Sequence, residues 1–214
     1  MIKVLITDDH PIVRSGLKQL LEDDKSERFG RIEEAENGAQ LLEKMSSLDI
    51  DVVLLDISLP GRNGLELLPL IKNIKPEIPI LMLSIYREEQ YAIRALKLGA
   101  AGYLMKNSTP EELINAIFKV SQGGRYISPS LAEKITDNFL IDDDKPLYQK
   151  LSVRELEVVS LLASGKTISS IAKELYLSPK TISTYRTRIL SKLKLKTTSD
   201  IIRYAINEGF GGEE

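Results

Sequence analysis

The sequence contains no cysteine and no tryptophan, and in 214 residues a single histidine, His10. Without cysteine there can be no disulfide framework and no thiolate metal centre, and one histidine cannot build a His-rich zinc site and argues against a histidine-based triad. A reducing cytoplasm is the expected compartment. Also missing is any apolar run of the ~18 residues that would cross a bilayer. The opening stretch Ile2 to Thr7 stops at Asp8 and Asp9, short of a signal-peptide core as well. The expectation is a soluble intracellular protein with no membrane partner. What is present is 43% apolar and 28% charged residues, an ordinary globular balance that excludes disordered and fibrous chains. The length fits one large domain or two small ones.

The formal net charge of −2 hides an asymmetry. Residues 149 to 214 carry a balance of +4 and the remainder one of −6, so an acidic part is joined to a basic part. Lys180 to Lys196 holds six basic residues and no acidic one, which makes a polyanion its natural partner.

Short apolar runs alternate with segments of helical period over the first ~120 residues. Ile2 to Thr7, Ile50 to Asp56, Ile80 to Ser84 and Gly102 to Met105 read as strands. Pro11 to Glu22, Ala39 to Met45, Leu65 to Ile74, Glu88 to Leu98 and Pro110 to Val120 read as helices, with Pro11, Pro110 and Gly99 as start and stop signals. Strand-helix alternation predicts a parallel sheet covered on both faces. Arg31 to Glu36 is mostly charged, so as a strand it belongs at a sheet edge, where charge blocks further pairing. Beyond Val120 the paired glycines 123 and 124, Ser128-Pro129-Ser130, a short helical stretch to Phe139 and Asp142 to Asp144 suggest a linker. From Leu151 onward every segment is helical: Arg154 to Ala163, Ile168 to Leu175, Pro179 to Leu193 and Ser199 to Asn207, with turns at Gly165 and Ser178-Pro179.

Ligands of open parallel sheets sit outside the C-terminal ends of the strands. Asp8, Asp9 and Asp56 fall there, and so do Ser84 and Lys106. Carboxylates gathered in one crevice repel one another unless a cation neutralises them, and a hard oxygen-ligated ion such as Mg²⁺ suits carboxylates, water and phosphate. Asp8 and Asp9 could also simply cap the following helix. With a hydroxyl and an ammonium facing the same crevice, the set has the parts of a phosphoryl-transfer site.

In the order and spacing of Asp8-Asp9, Asp56 with Leu59-Pro60 and Gly64, Ser84, Tyr103 and Lys106, residues 1 to about 122 resemble the receiver domain of two-component response regulators. The resemblance implies a flavodoxin-like, doubly wound five-stranded sheet. It makes Asp56 the phosphoacceptor, Asp9 the principal Mg²⁺ ligand with Asp8 assisting, and the Ser58 carbonyl a further ligand. Lys106 and Ser84 would bind phosphoryl oxygens, Ser84 moving toward them as Tyr103 swings inward. Two positions depart from the common pattern. Asn107 follows Lys106 where many receivers have a cis proline, which leaves that peptide's geometry open. Tyr86, two beyond Ser84, is bulky enough to obstruct an attacking water, so a long-lived phosphorylated state is expected. His10 reads as a helix-start residue without chemistry.

Along Pro179 to Leu193 a step of ~100° per residue puts Ile182, Tyr185, Ile189 and Leu193 on one side. Lys180, Ser183, Thr184, Thr187 and Ser191 lie opposite, flanked by Arg186, Arg188 and Lys192. Short polar side chains approach base edges while Arg and Lys reach phosphates, as in a recognition helix. Residues 151 to about 210 also resemble the LuxR-type output domain of the NarL/FixJ response regulators, through Leu151-Ser152, Arg154-Glu155, Glu157-Val158, Leu161, Gly165, Ile171-Ala172, Leu175, Ser178, Thr181-Ile182, Ile189 and Lys192-Leu193. The resemblance brings Ser183, Thr184 and Thr187 nearest the bases and gives the last helix to dimer contacts. Ile168, Ser170 and Tyr185 stand where the family often has Asn, Glu and His.

The expected protein is therefore an α/β receiver over 1–122, a linker with a short helix over 123–147, and a smaller all-α helix-turn-helix domain over 148–214. It would take phosphate from a sensor histidine kinase, bind promoter DNA as a homodimer, and catalyse nothing beyond its own phosphorylation and dephosphorylation. Two alternatives stay open at this point: a constitutive DNA-binding protein with a non-signalling receiver scaffold, and an aspartyl-phosphate phosphohydrolase.

Overall fold

A computed structural model describes residues 1–85, 88–129, 131–133 and 146–210, with backbone alone for 88–90. The chain divides into two compact units, Met1–Asp137 and Asn138–Glu214. Most of the linker helix expected to reach Phe139, together with Asp142 to Asp144 and Tyr86, lies outside the described residues.

In the first unit five strands alternate with five helices: β1 Ile2–Thr7, α1 Pro11–Glu22, β2 Phe29–Ala35, α2 Gly38–Ser47, β3 Val52–Asp56, α3 Gly64–Ile74, β4 Ile80–Ser84, α4 Glu88–Lys97, β5 Gly102–Met105 and α5 Pro110–Ser121. The sheet is parallel throughout, in the order β2-β1-β3-β4-β5. The central strands are apolar at nearly every position because both faces are covered. On one face Val4, Ile6, Val52, Leu54, Leu81, Leu83 and Leu104 pack with Leu21 of α1 and Leu113, Ala116, Ile117 and Val120 of α5. The alternate residues Leu5, Val53, Leu55, Met82 and Tyr103 point to the opposite face and are fully buried too. The charged strand is at the edge, as its composition requires, though it starts earlier, at Phe29, which joins the core. Lys44 of α2 reaches its Glu33 at 2.8 Å.

The second unit begins with a 3₁₀ turn, Leu147–Lys150, which carries no sequence signal strong enough to predict it. Four helices follow: α6 Val153–Ala163, α7 Ile168–Glu174, α8 Pro179–Leu193 and α9 Thr198–Asn207. Each starts on a hydroxyl N-cap, at Ser152, Thr167, Ser178 and Thr197, that accepts a backbone N–H of the first turn. The turn between α7 and α8 closes as a Schellman motif: Leu177 N–H donates to the Ala172 carbonyl at 2.8 Å and Tyr176 N–H to that of Lys173 at 3.2 Å. The motif needs a left-handed residue, and Tyr176 supplies it with φ 55° where Gly165 and Gly209 hold the matching place at other helix ends. Tyr176 is 68% exposed, so its ring returns little packing energy for the strain. Tyr176→Gly is expected to stabilise the chain by about 0.5–1 kcal/mol, measured by thermal unfolding. An unchanged or lower stability would mean that the ring makes contacts worth as much as the strain.

Candidate phosphoacceptor site and nucleic-acid interface

The strand order reverses direction at β1, whose neighbours β2 and β3 lead to opposite sides of the fold. The crevice outside that switch point is where a doubly wound sheet binds its ligands. In the ladders Thr7 pairs with Leu55 and Ser84 with Met105. One step further along, Asp8 stands beside Asp56, and Lys106 follows Ser84, whose carbonyl accepts the Lys106 N–H at 2.7 Å. The expected convergence is thus a consequence of register.

Asp8 and Asp56 are buried and share a single ammonium, with Lys106 Nζ 2.6 Å from Asp8 Oδ2 and 2.8 Å from Asp56 Oδ2. Burial pushes the Asp56 carboxyl up, and Asp8 adds to the effect. Lys106 and the Ser58 N–H pull the other way, leaving Asp56 at about 6. Burial lowers the Lys106 ammonium, but the two carboxylates outweigh it and raise its pKa overall. Asp9 is the more exposed partner of the trio. One ligand atom from each of Asp8, Asp9, His10 and Asp56 lies within 4.8 Å of the others, so the group could hold a metal ion. Three carboxylates facing one lysine leave negative charge uncompensated, and a divalent cation fits that deficit.

Several expectations can be placed. Asp8 Oδ1 accepts the His10 N–H at 2.9 Å just ahead of α1, so Asp8 also supports the helix start, while the N-cap residue His10 makes no side-chain capping bond of its own. Ser84 is buried at the end of β4. Tyr103 is fully buried, with its ring on the inward side of β5. There is no cis peptide among the described residues, so the Lys106-Asn107 bond is trans. Two participants carry no role in the sequence reading. His10 turns its Nδ1 toward the carboxylates, at 3.1 Å from Asp8 Oδ1 and 2.9 Å from Asp9 Oδ1. Arg14, buried on α1, donates from Nη1 to the Asp8 carbonyl at 2.7 Å and from Nη2 to Glu36 at 3.1 Å. An arginine three and seven residues before Leu17 and Leu21, on the core side of an amphipathic helix, was the available signal.

In the second unit, α8 buries Ile182, Ile189 and Leu193 and leaves Tyr185 half-buried. Lys180, Ser183, Thr184, Thr187, Arg188, Ser191 and Lys192 are exposed and Arg186 is half-exposed. Thr184 and Thr187 donate their hydroxyls back to the carbonyls of Lys180 and Ser183, each at 3.0 Å, so these side chains present methyl groups and acceptor lone pairs outward. Lys192 is engaged differently from the other cations: its Nζ lies 2.6 Å from Oε2 of buried Glu155. Burial alone would raise the Glu155 carboxyl, but Lys192 and the Ser152 N–H and hydroxyl in the capping box lower it overall. The pair pins the end of α8 to the start of α6. Lys192→Met should therefore cost about 1–2 kcal/mol of stability in the absence of any ligand. The figure stays below that of a fully buried pair because the lysine side chain is 39% exposed. Arg188→Ala should leave unfolding within ~0.5 kcal/mol of the parent; equal losses would contradict the distinction.

Residues 4–118 match the family described as the response regulator receiver domain, and residues 149–205 that described as bacterial regulatory proteins of the luxR family. The chain is 34% identical to the response regulator UvrY of Escherichia coli over 215 aligned positions, covering 100% of this chain and 98% of that protein. It is 35% identical to the response regulator GacA of Pseudomonas aeruginosa, covering 98% and 97%. Among solved structures it is similar to RcsB of Salmonella enterica serovar Typhimurium bound to the promoter rprA with phosphomimetic BeF3-, at a TM-score of 0.65, 30% identity and coverage of 95% and 97%. No described helix is long and apolar enough to cross a membrane. With the acidic crevice at the sheet's switch point and a helix-turn-helix presenting a basic helix, the chain belongs to the two-component response regulators of NarL/FixJ type, a receiver joined to a LuxR-family regulatory domain.

Proposed function

We propose that this response regulator accepts phosphate on Asp56 from a sensor histidine kinase and, once phosphorylated, binds promoter DNA as a homodimer in the cytoplasm. The observation that carries this reading is the pair of buried carboxylates, Asp8 and Asp56, sharing one lysine at the rim of the sheet. A carboxylate oxygen of Asp56 attacks the phosphorus of a phosphohistidine, the P–N bond breaks, and its electron pair returns to the imidazole. Asp8, Asp9, Asp56 and the Ser58 carbonyl would hold Mg²⁺, which would neutralise charge on the carboxylates and the incoming phosphoryl group. Lys106, already at Asp56, can take a phosphoryl oxygen by a shift of its ammonium alone. Ser84 supplies a hydroxyl whose contact exists only with phosphate present, which is what a population shift requires. Tyr103, buried on β5, is the second switch residue, its ring answering the movement of Ser84.

The limits 1–122 for the receiver, 123–147 for the linker and 148–214 for the DNA-binding domain divide the labour. In the output domain Lys180, Arg186, Arg188 and Lys192 meet phosphates, and Ser183, Thr184 and Thr187 face base edges. Pairing through the last helix multiplies the affinity of two small modules. The chain promotes its own phosphorylation and dephosphorylation and acts on no separate substrate.

Incubating the full chain with Mg²⁺ and a small acyl phosphate, then measuring phosphate on Asp56 and affinity for candidate promoter DNA together, tests the whole reading. Both should rise together. DNA affinity that ignores the phosphodonor would leave a constitutive binder. On the same DNA, Lys180→Ala and Arg188→Ala should each weaken binding to every sequence and reduce the salt slope by about 1, while Thr184→Ala changes sequence preference. Identical losses for all three on every DNA would sink the assignment of roles.

A further inference from the structure

Arg14 is buried on the core side of α1, only 6% exposed. A buried guanidinium costs stability unless its charge and donors are matched, so its partners show what it serves. They are not the carboxylates of the crevice. Nη1 donates to the backbone carbonyl of Asp8 at 2.7 Å and Nη2 to Glu36 Oε1 at 3.1 Å, while Nε stands 3.7 Å from Glu34 Oε2. The Asp8 N–H in turn donates to the Ala35 carbonyl at 3.2 Å. Asp8 is therefore gripped at its amide by β2 and at its carbonyl by α1, and the acids on either side of Ala35 hold the arginine in place. The gripped carbonyl belongs to the peptide between Asp8 and Asp9. Its orientation sets the direction in which the Asp9 side chain leaves the backbone. Lys106 holds the Asp8 carboxylate, whereas Asp9 has the His10 ring as its sole side-chain partner among the described residues, so the backbone decides where its carboxylate stands.

We propose that Arg14 is a positioning residue for phosphate acceptance: it fixes the Asp8–Asp9 peptide so that the Asp9 carboxylate stands where the cation needs it. The inference rests on the reading of Asp56 as phosphoacceptor with a divalent cation at the acidic cluster. Groups that orient metal ligands without touching the metal are typically worth roughly 10–100-fold in affinity. A guanidinium suits the task because its planar fork meets a carbonyl and a carboxylate at once, which an ammonium on a flexible stem does not do in one fixed geometry. Its charge is met by Glu34 and Glu36 on β2, so its loss acts on the placement of Asp9 and not on the attraction between Asp56 and Lys106.

The test compares the full chain with Arg14→Met, Arg14→Lys and the control Lys18→Met, which removes a cation from the same helix and from Glu34 without touching the Asp8 carbonyl. Phosphate incorporation from a small acyl phosphate is followed against Mg²⁺ and, at saturating Mg²⁺, against the acyl phosphate. The rise in melting temperature with Mg²⁺ is titrated without any phosphodonor, and circular dichroism confirms folding. In Arg14→Met the Mg²⁺ concentration at half effect should rise roughly 10–100-fold in both titrations, while the half-saturating acyl phosphate changes by about twofold at most. Arg14→Lys should recover part of the loss, and it carries the test if Arg14→Met does not fold. Lys18→Met should stay within about twofold of the parent. A Mg²⁺ requirement unchanged in the folded Arg14 variants, matched by an equal rise in the acyl phosphate requirement, or reproduced by Lys18→Met would overturn the positioning role and leave the phosphoacceptor site intact. A parent whose Asp56 takes no phosphate and whose melting ignores Mg²⁺ would overturn the reading of the site itself, and this role with it.

Discussion

Replacing Gly64 by alanine should cost on the order of 3 kcal/mol in stability and lower phosphate acceptance at least tenfold, although the change adds one methyl group and replaces no charged residue. A Cβ at Gly64 would lie 2.1 Å from the backbone carbonyl oxygen of Asp56 and 3.0 Å from its carbonyl carbon. Neither atom belongs to a flexible side chain. The Gly64 N–H also donates to the Ile57 carbonyl at 2.8 Å, so the start of α3 is held against the segment that carries Asp56. Relief requires that α3 or the end of β3 move, and movement of β3 displaces the Asp56 carboxylate from Lys106. The control is Gly16→Ala in the exposed middle of α1, where nothing lies within 4 Å of the new Cβ. That substitution should stabilise by about 0.5–1 kcal/mol through helix propensity. Thermal melts of the two variants, with phosphate incorporation measured in parallel, check the contrast. A Gly64→Ala chain as stable and as reactive as the parent would show that the loop yields more easily than its hydrogen bonding suggests.

That single contact also shows where sequence reasoning reaches its limit. The strands were legible because a two-sided apolar run has few other uses, and the functional crevice followed from the rule that ligands bind at strand C-termini. Asp8, Asp56, Ser84 and Lys106 were therefore placed at the strand ends from their positions alone. The edge strand was legible only in part: its charges marked the edge, while Phe29, the residue that anchors it in the core, precedes the charged stretch. Arg14 and His10 were not legible as participants, because their roles depend on how α1 leaves β1, a direction that no periodicity encodes. The Glu155–Lys192 pair was hidden for a related reason, since 37 residues separate its partners and each reads singly as a cap or a phosphate contact. Local signals identified the elements; the unrecognised roles all depend on contacts between elements.

Asp56→Asn should abolish phosphate acceptance and at the same time make the resting protein more stable at pH 7.5, by about 1–3 kcal/mol. The Asp56 carboxyl stands at about 6 in the folded chain against an ordinary 3.8. A carboxyl raised by folding binds its proton more tightly when folded. Its contribution is thus neutral below the unfolded value and becomes a cost as pH rises through the window from about 4 to about 6. At neutral pH the full shift amounts to on the order of 3 kcal/mol. Asparagine removes that cost at every pH but also forfeits the attraction of Lys106, so the net gain is smaller than the shift alone. Two measurements separate this account from a general packing effect. The parent should lose stability relative to Asp56→Asn as pH rises from 4 to 7, and the difference should level off above pH 7. Millimolar Mg²⁺ should raise the melting temperature of the parent more than that of the variant, because a bound cation stabilises the folded state in proportion to its affinity and the variant lacks one carboxylate of the site. If the variant proves less stable than the parent at pH 7.5, the buried carboxylate is better compensated than its surroundings indicate, and the excess negative charge invoked to attract the cation is not there.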